Sequence, residues 1–177
     1  MATTAPTTSK ADSELLRVQG VSKAFPGVVA LQEVDFSLRS GEVHALVGEN
    51  GAGKSTLMKI LSGAYRKDSG SITVAGGQVE IGSPQASQAL GISTIHQEFN
   101  LVPALSVAEN IFLGRLPIRS RWGFLDRGKL RREAAALLKR LGLAIPPGTP
   151  VGALRVAQQQ LVEIAKALST NARILIM

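Results

Sequence analysis

Between Gly48 and Thr56 the chain reads Gly48-Glu49-Asn50-Gly51-Ala52-Gly53-Lys54-Ser55-Thr56, which brings backbone freedom, one cation and two hydroxyls into a single stretch. The spacing Gly-x4-Gly-Lys-Ser is that of a phosphate-binding loop. Glycines let the backbone pass through conformations that a Cβ would obstruct, so that successive N–H groups turn inward as an anion nest. A helix that starts at the lysine adds the partial positive charge of its first turn. In such a loop Lys54 reaches the β- and γ-phosphates as a mobile point charge. Ser55 places its hydroxyl on Mg²⁺, and Thr56 contacts the α-phosphate. The four fixed positions coincide by chance in roughly 1% of chains this long. The flanking elements therefore decide between a phosphate loop and an ordinary glycine turn that caps a helix.

Both flanks have the required pattern. Val43-His44-Ala45-Leu46-Val47 is mostly apolar, as a strand covered on both faces would be. Leu57, Ile60, Leu61 and Ala64 recur at helical spacing, and that helix is expected to end near Gly63. Upstream, the ordered chain is expected to begin at Leu15-Leu16-Arg17-Val18, and Val34, Phe36 and Leu38 alternate with polar residues as in a half-buried strand. Ile72 and Val74, then Val79 and Ile81, flank Gly76-Gly77 as a hairpin, and a strand over 91–96 ends at Gln97. From Ser106 the character turns helical. Leu130, Ala134, Leu137, Leu138 and Leu141 share one face, Pro146-Pro147-Gly148 interrupts, and Leu161, Ile164, Ala165 and Leu168 mark a further helix. Residues 173–177 read as a buried strand, and no internal repeat is present.

Composition narrows the classes. A chain of 177 residues with 45% hydrophobic and 19% charged content can build one globular core. The absence of Cys, with His44 and His96 standing alone, argues against disulfides and a structural zinc site and suits a reducing compartment. No apolar run reaches the roughly 18 residues of a membrane span. Residues 1–14 read as a disordered tail without a signal-peptide core. The formal charge is +7, and the segment from Arg115 to Arg140, with nine basic residues against Asp126 and Glu133, accounts for all of it. Its cations fall mostly off the leucine face, which favours a solvated or lipid-facing surface over nucleic acid, and the scarcity of aromatics agrees.

With the phosphate loop in its strand–loop–helix setting, the chain resembles the ATP-binding subunits of ABC transporters, specifically the N-terminal cassette of the sugar-importer type (ribose, galactose or xylose). Three further segments stand in the family's order: 21–28 (VSKAFPGV), 95–103 (IHQEFNLVP) and 154–160 (LRVAQQQ). The resemblance runs from about Leu15 to Met177 and implies an α/β fold of the P-loop NTPase, ABC ATPase type, with a mixed sheet and an inserted helical subdomain over about 98–165. It implies that Phe25 stacks on adenine and that Gln97 joins Ser55 on Mg²⁺. It also implies that Leu154, Arg155, Val156, Ala157 and Gln158 form the signature segment, which contacts the nucleotide of an opposing cassette. ATP and Mg²⁺ are the expected ligands. The expected partners are transmembrane permease subunits, a second ATP-binding cassette and, indirectly, a periplasmic sugar-binding protein, with no nucleic acid. The location implied is peripheral, on the cytoplasmic face of the inner membrane.

Two departures from the family pattern carry expectations of their own. Arg155 stands where the family has a small hydroxyl residue, which is expected to impair the site that this segment completes, unless the guanidinium pairs with phosphate directly. The family also continues from a strand like 174–177 into the Walker B Asp-Glu pair and later a switch histidine, and these residues are absent, so no catalytic residue is assigned. The chain by itself is accordingly expected to bind ATP with negligible hydrolysis, and to expose an open sheet edge and apolar surface. A non-hydrolysing nucleotide-binding module and a cassette-fold ATPase acting on nucleic acid remain open as alternatives. A GTPase is disfavoured because no Asn-Lys-x-Asp motif occurs.

Overall fold

The structure, a computed structural model, describes residues 14–95, 100–119 and 124–177. It divides into two compact units, one ending at Leu90 and the other beginning at Gly91. In the first unit, strands β1 (Glu14–Phe25) and β2 (Val28–Arg39) form a long antiparallel hairpin. β3 (Ser69–Val74) and β4 (Gly77–Val79) add a second hairpin, and the sheet order is β2-β1-β3-β4, antiparallel throughout. Helix α1 (Lys54–Leu61) follows the glycine loop, and a short helix α2 (Pro84–Ala89) is capped by Ser83, whose side chain accepts from the Ala86 N–H. The buried apolar residues are Leu15, Leu16, Val18 and Val21 of β1, whose register shifts break a strict alternation, Leu31 of β2, Ile72 and Val74 of β3, and Leu57, Ile60 and Leu61 of α1. In β3 and α1, period-two and helical spacing bury the side chains that the apolar pattern selects.

The second unit combines a parallel pair, β5 (Ile92–Thr94) and β6 (Ile174–Ile176), with three helices. These are α3 (Val107–Ile111), α4 (Arg127–Arg140) and α5 (Val156–Leu168). α3 packs against both α4 and α5 around Val107, Ile111, Leu130, Leu138, Val162 and their neighbours. Ser106 and Glu109 close a capping box on α3: the Glu109 N–H donates to Ser106 Oγ at 3.3 Å, and the Ser106 N–H returns to Glu109 Oε2 at 2.9 Å. The Ser106 hydroxyl and N–H, donating to Glu109, hold that carboxyl below the usual carboxylate range. Asn110 is wholly buried, and it accepts from the Val102 N–H while donating to the carbonyls of Val102, Leu105 and Ser106. One amide therefore satisfies the turn that leads into α3.

Two sequence expectations are corrected. The segment Val43–Val47 is irregular, with Val43 98% and Val47 88% exposed, because no strand pairs with it among the described residues. Apolar composition confers strand propensity, but a strand exists only with a ladder partner. The second hairpin turns at Ala75 and Gly76 rather than at Gly76-Gly77, since Gly77 already pairs with Val74. The expected tail over 1–14 falls almost wholly outside the described residues.

Both central residues of that turn have positive φ, 50° at Ala75 and 83° at Gly76, as a two-residue turn matched to strand twist requires. Alanine is poorly suited to this conformation. Ala75→Asn is expected to raise stability by about 0.5–1 kcal/mol, read as a higher urea midpoint with an unchanged slope; a lower midpoint would contradict the turn assignment.

Candidate functional site

α1 begins without a side-chain cap. Its N-cap is Gly53 at φ 82°, so the N–H groups of its first turn have neither a capping oxygen nor an intrahelical acceptor. Gly53 is required for a second reason: a Cβ there would stand 2.5 Å from the Ala30 carbonyl oxygen and 2.6 Å from Leu31 Cδ2, so the loop lies directly on β2. The loop closes on itself through the Ala52 N–H donating to Glu49 O at 3.2 Å. Lys54 curls back inside it and donates from Nζ to Gly48 O at 2.5 Å and Glu49 O at 2.7 Å. The lysine therefore ties the loop as well as charging it, a role its spacing alone does not reveal. Ser55 is exposed at the helix start and Thr56 is half-buried beside it. Gly48, Glu49, Asn50, Gly51 and Ala52 form the exposed rim.

Phe25 ends β1 at the hairpin and is half-buried. Its ring meets Tyr65 edge to face, with centroids 5.3 Å apart and planes at 67°. Lys23, two residues earlier on the same strand, lies 5.5 Å from the Phe25 centroid and pairs with Asp68 at 2.6 Å. Asp68 also accepts from the Ala24 N–H at 2.8 Å. The Ala24 N–H, followed by the Lys23 ammonium, holds the Asp68 carboxyl below its ordinary value. Tyr65 and Asp68 are distant from Phe25 in sequence, and only strand pairing brings them to it.

The segment Leu154–Gln158, expected from the sequence to be the signature segment, lies in the second unit. A 3-10 turn over Val151–Ala153 leads to Leu154, and Arg155 is the N-cap of α5. Arg155, Val156 and Ala157 are exposed, while Leu154 and Gln158 are half-buried. A guanidinium has no acceptor, so Arg155 cannot cap the helix with its side chain. Gln158 accepts from the Arg155 N–H at 3.1 Å, and Gln159 donates to Leu154 O at 3.0 Å. Farther along α5, buried Glu163 accepts from the Asn100 N–H and Lys166 donates to Asn100 O, each at 2.7 Å. Sequence spacing marks Glu163 and Lys166 only as helical residues. Gln97, with His96, lies outside the described residues. Among the described residues no cluster of metal-ligating side chains occurs, and no helix is long and apolar enough to cross a membrane.

The stretch that holds the glycine loop and α1 lies within residues 31–177, which match the ABC transporter family. The chain belongs to the ABC transporter family. It is 62% identical over 169 residues to ribose import ATP-binding protein RbsA 1 of Streptomyces avermitilis, covering 96% of this chain and 32% of that protein. It is 60% identical over 173 residues to a putative ribose/galactose/methyl galactoside import ATP-binding protein of Burkholderia ambifaria, covering 97% of this chain and 34% of that one. The chain thus spans about a third of the length of these curated relatives. Among solved structures it is similar to a nucleotide-free ATP-binding cassette from an ABC transporter, with a TM-score of 0.77 and 28% identity over 92% of this chain and 68% of that one. A second cassette, in its ADP conformation, has a TM-score of 0.79 and 27% identity over 92% and 67% of the two chains. The fold is therefore that of an ABC ATPase cassette, with both antiparallel and parallel strand pairing.

Two consequences of this geometry can be measured. Because Arg155 leaves the α5 N-terminus without a side-chain acceptor, Arg155→Ser is expected to stabilise the fold by about 1 kcal/mol, seen as a raised denaturant midpoint; an unchanged midpoint would show that Gln158 already suffices. A carboxyl with a depressed folded pKa contributes stability above its unfolded pKa and loses it as pH falls through the folded value. Stability is therefore expected to fall as the solution is acidified below about pH 4, and less so in Asp68→Asn, in a series of urea midpoints against pH.

Proposed function

We propose that this chain is the nucleotide-binding part of an ATP-binding subunit that couples ATP hydrolysis to sugar import. The observation that carries the reading is the first turn of α1, uncapped and enclosed by 48–54 with the Lys54 ammonium inside the loop. Free N–H groups and one cation at a helix N-terminus suit the oxygens of a di- or triphosphate. The relatives named as ribose import ATP-binding proteins, about 60% identical, support sugar as the cargo class.

In this reading the loop N–H groups and Lys54 bind the β- and γ-phosphates, the exchange of Gly48 O and Glu49 O for phosphate oxygens releases the lysine, and Thr56 orients the α-phosphate. Phe25 offers its ring to adenine. Exposed Ser55 would hold Mg²⁺, which neutralises charge between phosphate oxygens, and the family motif assigns Gln97 to the same ion. The segment Leu154–Gln158 serves an opposing cassette, with Arg155 replacing a short hydroxyl by a long cation. Transmembrane permease subunits, a second cassette and a periplasmic sugar-binding protein are the proposed partners, and the cytoplasmic membrane face is the proposed location. Unlike a motif match, the uncapped helix supplies a physical reason for anion binding.

Calorimetric titration of the chain with Mg·ATP tests this directly. Lys54→Ala is expected to weaken binding about tenfold to a hundredfold, the scale of losing hydrogen bonds to a charged group. Equal affinity in the variant would refute the phosphate-loop assignment.

A further inference from the structure

The segment that leaves α1 does more than connect it to β3. Gly63 ends the helix at φ 77°, and the N–H groups of Ala64 and Tyr65 both donate to Lys59 O, at 2.8 and 3.0 Å. A Cβ at Gly63 would stand 2.2 Å from Ser83 O, so this exit admits no other residue. Tyr65 is thereby fixed to the last turn of α1. Its ring reaches Phe25 edge to face, and Lys59 Nζ lies 5.2 Å from the Tyr65 centroid. Three residues on, Asp68 is fastened to β1 three times: its own N–H donates to Ser22 O at 2.9 Å, and its carboxylate accepts from the Ala24 N–H and the Lys23 ammonium. An aromatic contact and an ion pair thus hold the end of β1 against the end of α1. The other end of α1 is the phosphate loop. One short helix, stiffened by its own hydrogen bonds, therefore links Lys54 to the Phe25 ring.

We propose that Tyr65 is a positioning residue for the nucleobase of a bound nucleoside triphosphate: by gripping the edge of Phe25 it sets the stacking ring at a fixed reach from the phosphate loop. This rests on the ATP-binding reading above and adds to it the residue that makes Phe25 an ordered platform. Phe25 closes a hairpin whose returning strand opens with Val28 and Val29, 58% and 64% exposed, so the strand end alone gives the ring little support. A ring held in one orientation has less freedom to lose when a base stacks on it. Among the described residues Tyr65 makes its hydrogen bond and ring contacts with Lys59 and Phe25 and none with the loop 48–56, so its influence falls on the base. The Lys23–Asp68 pair flanks the same ring and keeps the segment after α1 docked.

The test compares two ligands that share phosphates and differ in the base. The chain is titrated with Mg·ATP and with Mg·tripolyphosphate, in unsubstituted form and as Tyr65→Ala, Tyr65→Phe, Phe25→Ala and the double variant Phe25→Ala/Tyr65→Ala. Tyr65→Ala is expected to weaken ATP about threefold to tenfold, the scale of one aromatic pair, and to leave tripolyphosphate unchanged, which also shows that the variant is folded. Tyr65→Phe restores ATP binding, because the ring and not the hydroxyl makes the contact. The double variant binds ATP no more weakly than Phe25→Ala alone, as expected of residues acting through one another. Unchanged ATP affinity in Tyr65→Ala, equal losses for both ligands, or additive losses in the double variant would each overturn the proposal. If the unsubstituted chain binds neither ligand, the phosphate-loop reading itself fails and this inference falls with it. If it binds both ligands equally, phosphate binding survives and the base platform does not.

Discussion

The contact between Gly53 and β2 is the constraint on which the candidate site depends. With the Ala30 carbonyl 2.5 Å from where a Cβ would stand, the glycine loop is pressed against the sheet and α1 must start where it does. The same residue, at φ 82°, denies the helix a side-chain cap. Helix N-termini are ordinarily stabilised by a Ser, Thr, Asp or Asn oxygen, and α2, α3 and α4 all have one, from Ser83, Ser106 and Asp126. α1 forgoes that stabilisation and keeps its N–H groups available. Lys54, turned back onto Gly48 O and Glu49 O, compensates by holding the loop in shape.

The second unit solves a different problem with buried polar groups. Its turns enter and leave short helices, and their backbone groups need partners that no ladder supplies. Asn110 saturates the turn before α3, while Glu163 and Lys166 take the N–H and the carbonyl of Asn100 from one face of α5. No buried side-chain donor or acceptor is left without a partner among the described residues. α5 itself starts from Arg155, and its cap is the Gln158 amide rather than the N-cap side chain. The start of α5 is thus held by Gln158 and Gln159, which leaves the guanidinium of Arg155 out of the capping.

The glycine loop and the helix behind it were legible because their causes are local: the glycines and the lysine fall within nine residues, and the helix that follows has its own apolar period. Helix α4 was legible for the same reason, since its amphipathic spacing selects Leu130, Ala134 and Leu138 as the buried face; α5 was legible as a helix, but packing turns Val162, Glu163 and Ala165 inward and leaves Leu161 of the expected face exposed. The strand expected over Val43–Val47 fails because a strand is a property of two segments, and its composition speaks for one. The hairpin turn shifted by one residue because Gly76-Gly77 and Ala75-Gly76 both fit a tight turn, and pairing of Gly77 with Val74 chose between them.

By itself the sequence determined the elements whose causes lie within a turn or two of chain: the glycine loop, the helices α1, α4 and α5, the alternation of β2 and the family to which the motifs belong. Tertiary structure alone decided which distant groups meet. Tyr65 and Asp68 come to Phe25 and Lys23, Asn100 comes to Glu163 and Lys166, and Ala30 comes to Gly53 only because β1 pairs with both β2 and β3 and because α3, α4 and α5 share a core. Those contacts span tens of residues, and their formation depends on burying apolar faces that are individually indifferent to which partner covers them. Hydrophobic burial is non-directional, so local pattern marks the element, and only the packed chain chooses the neighbour.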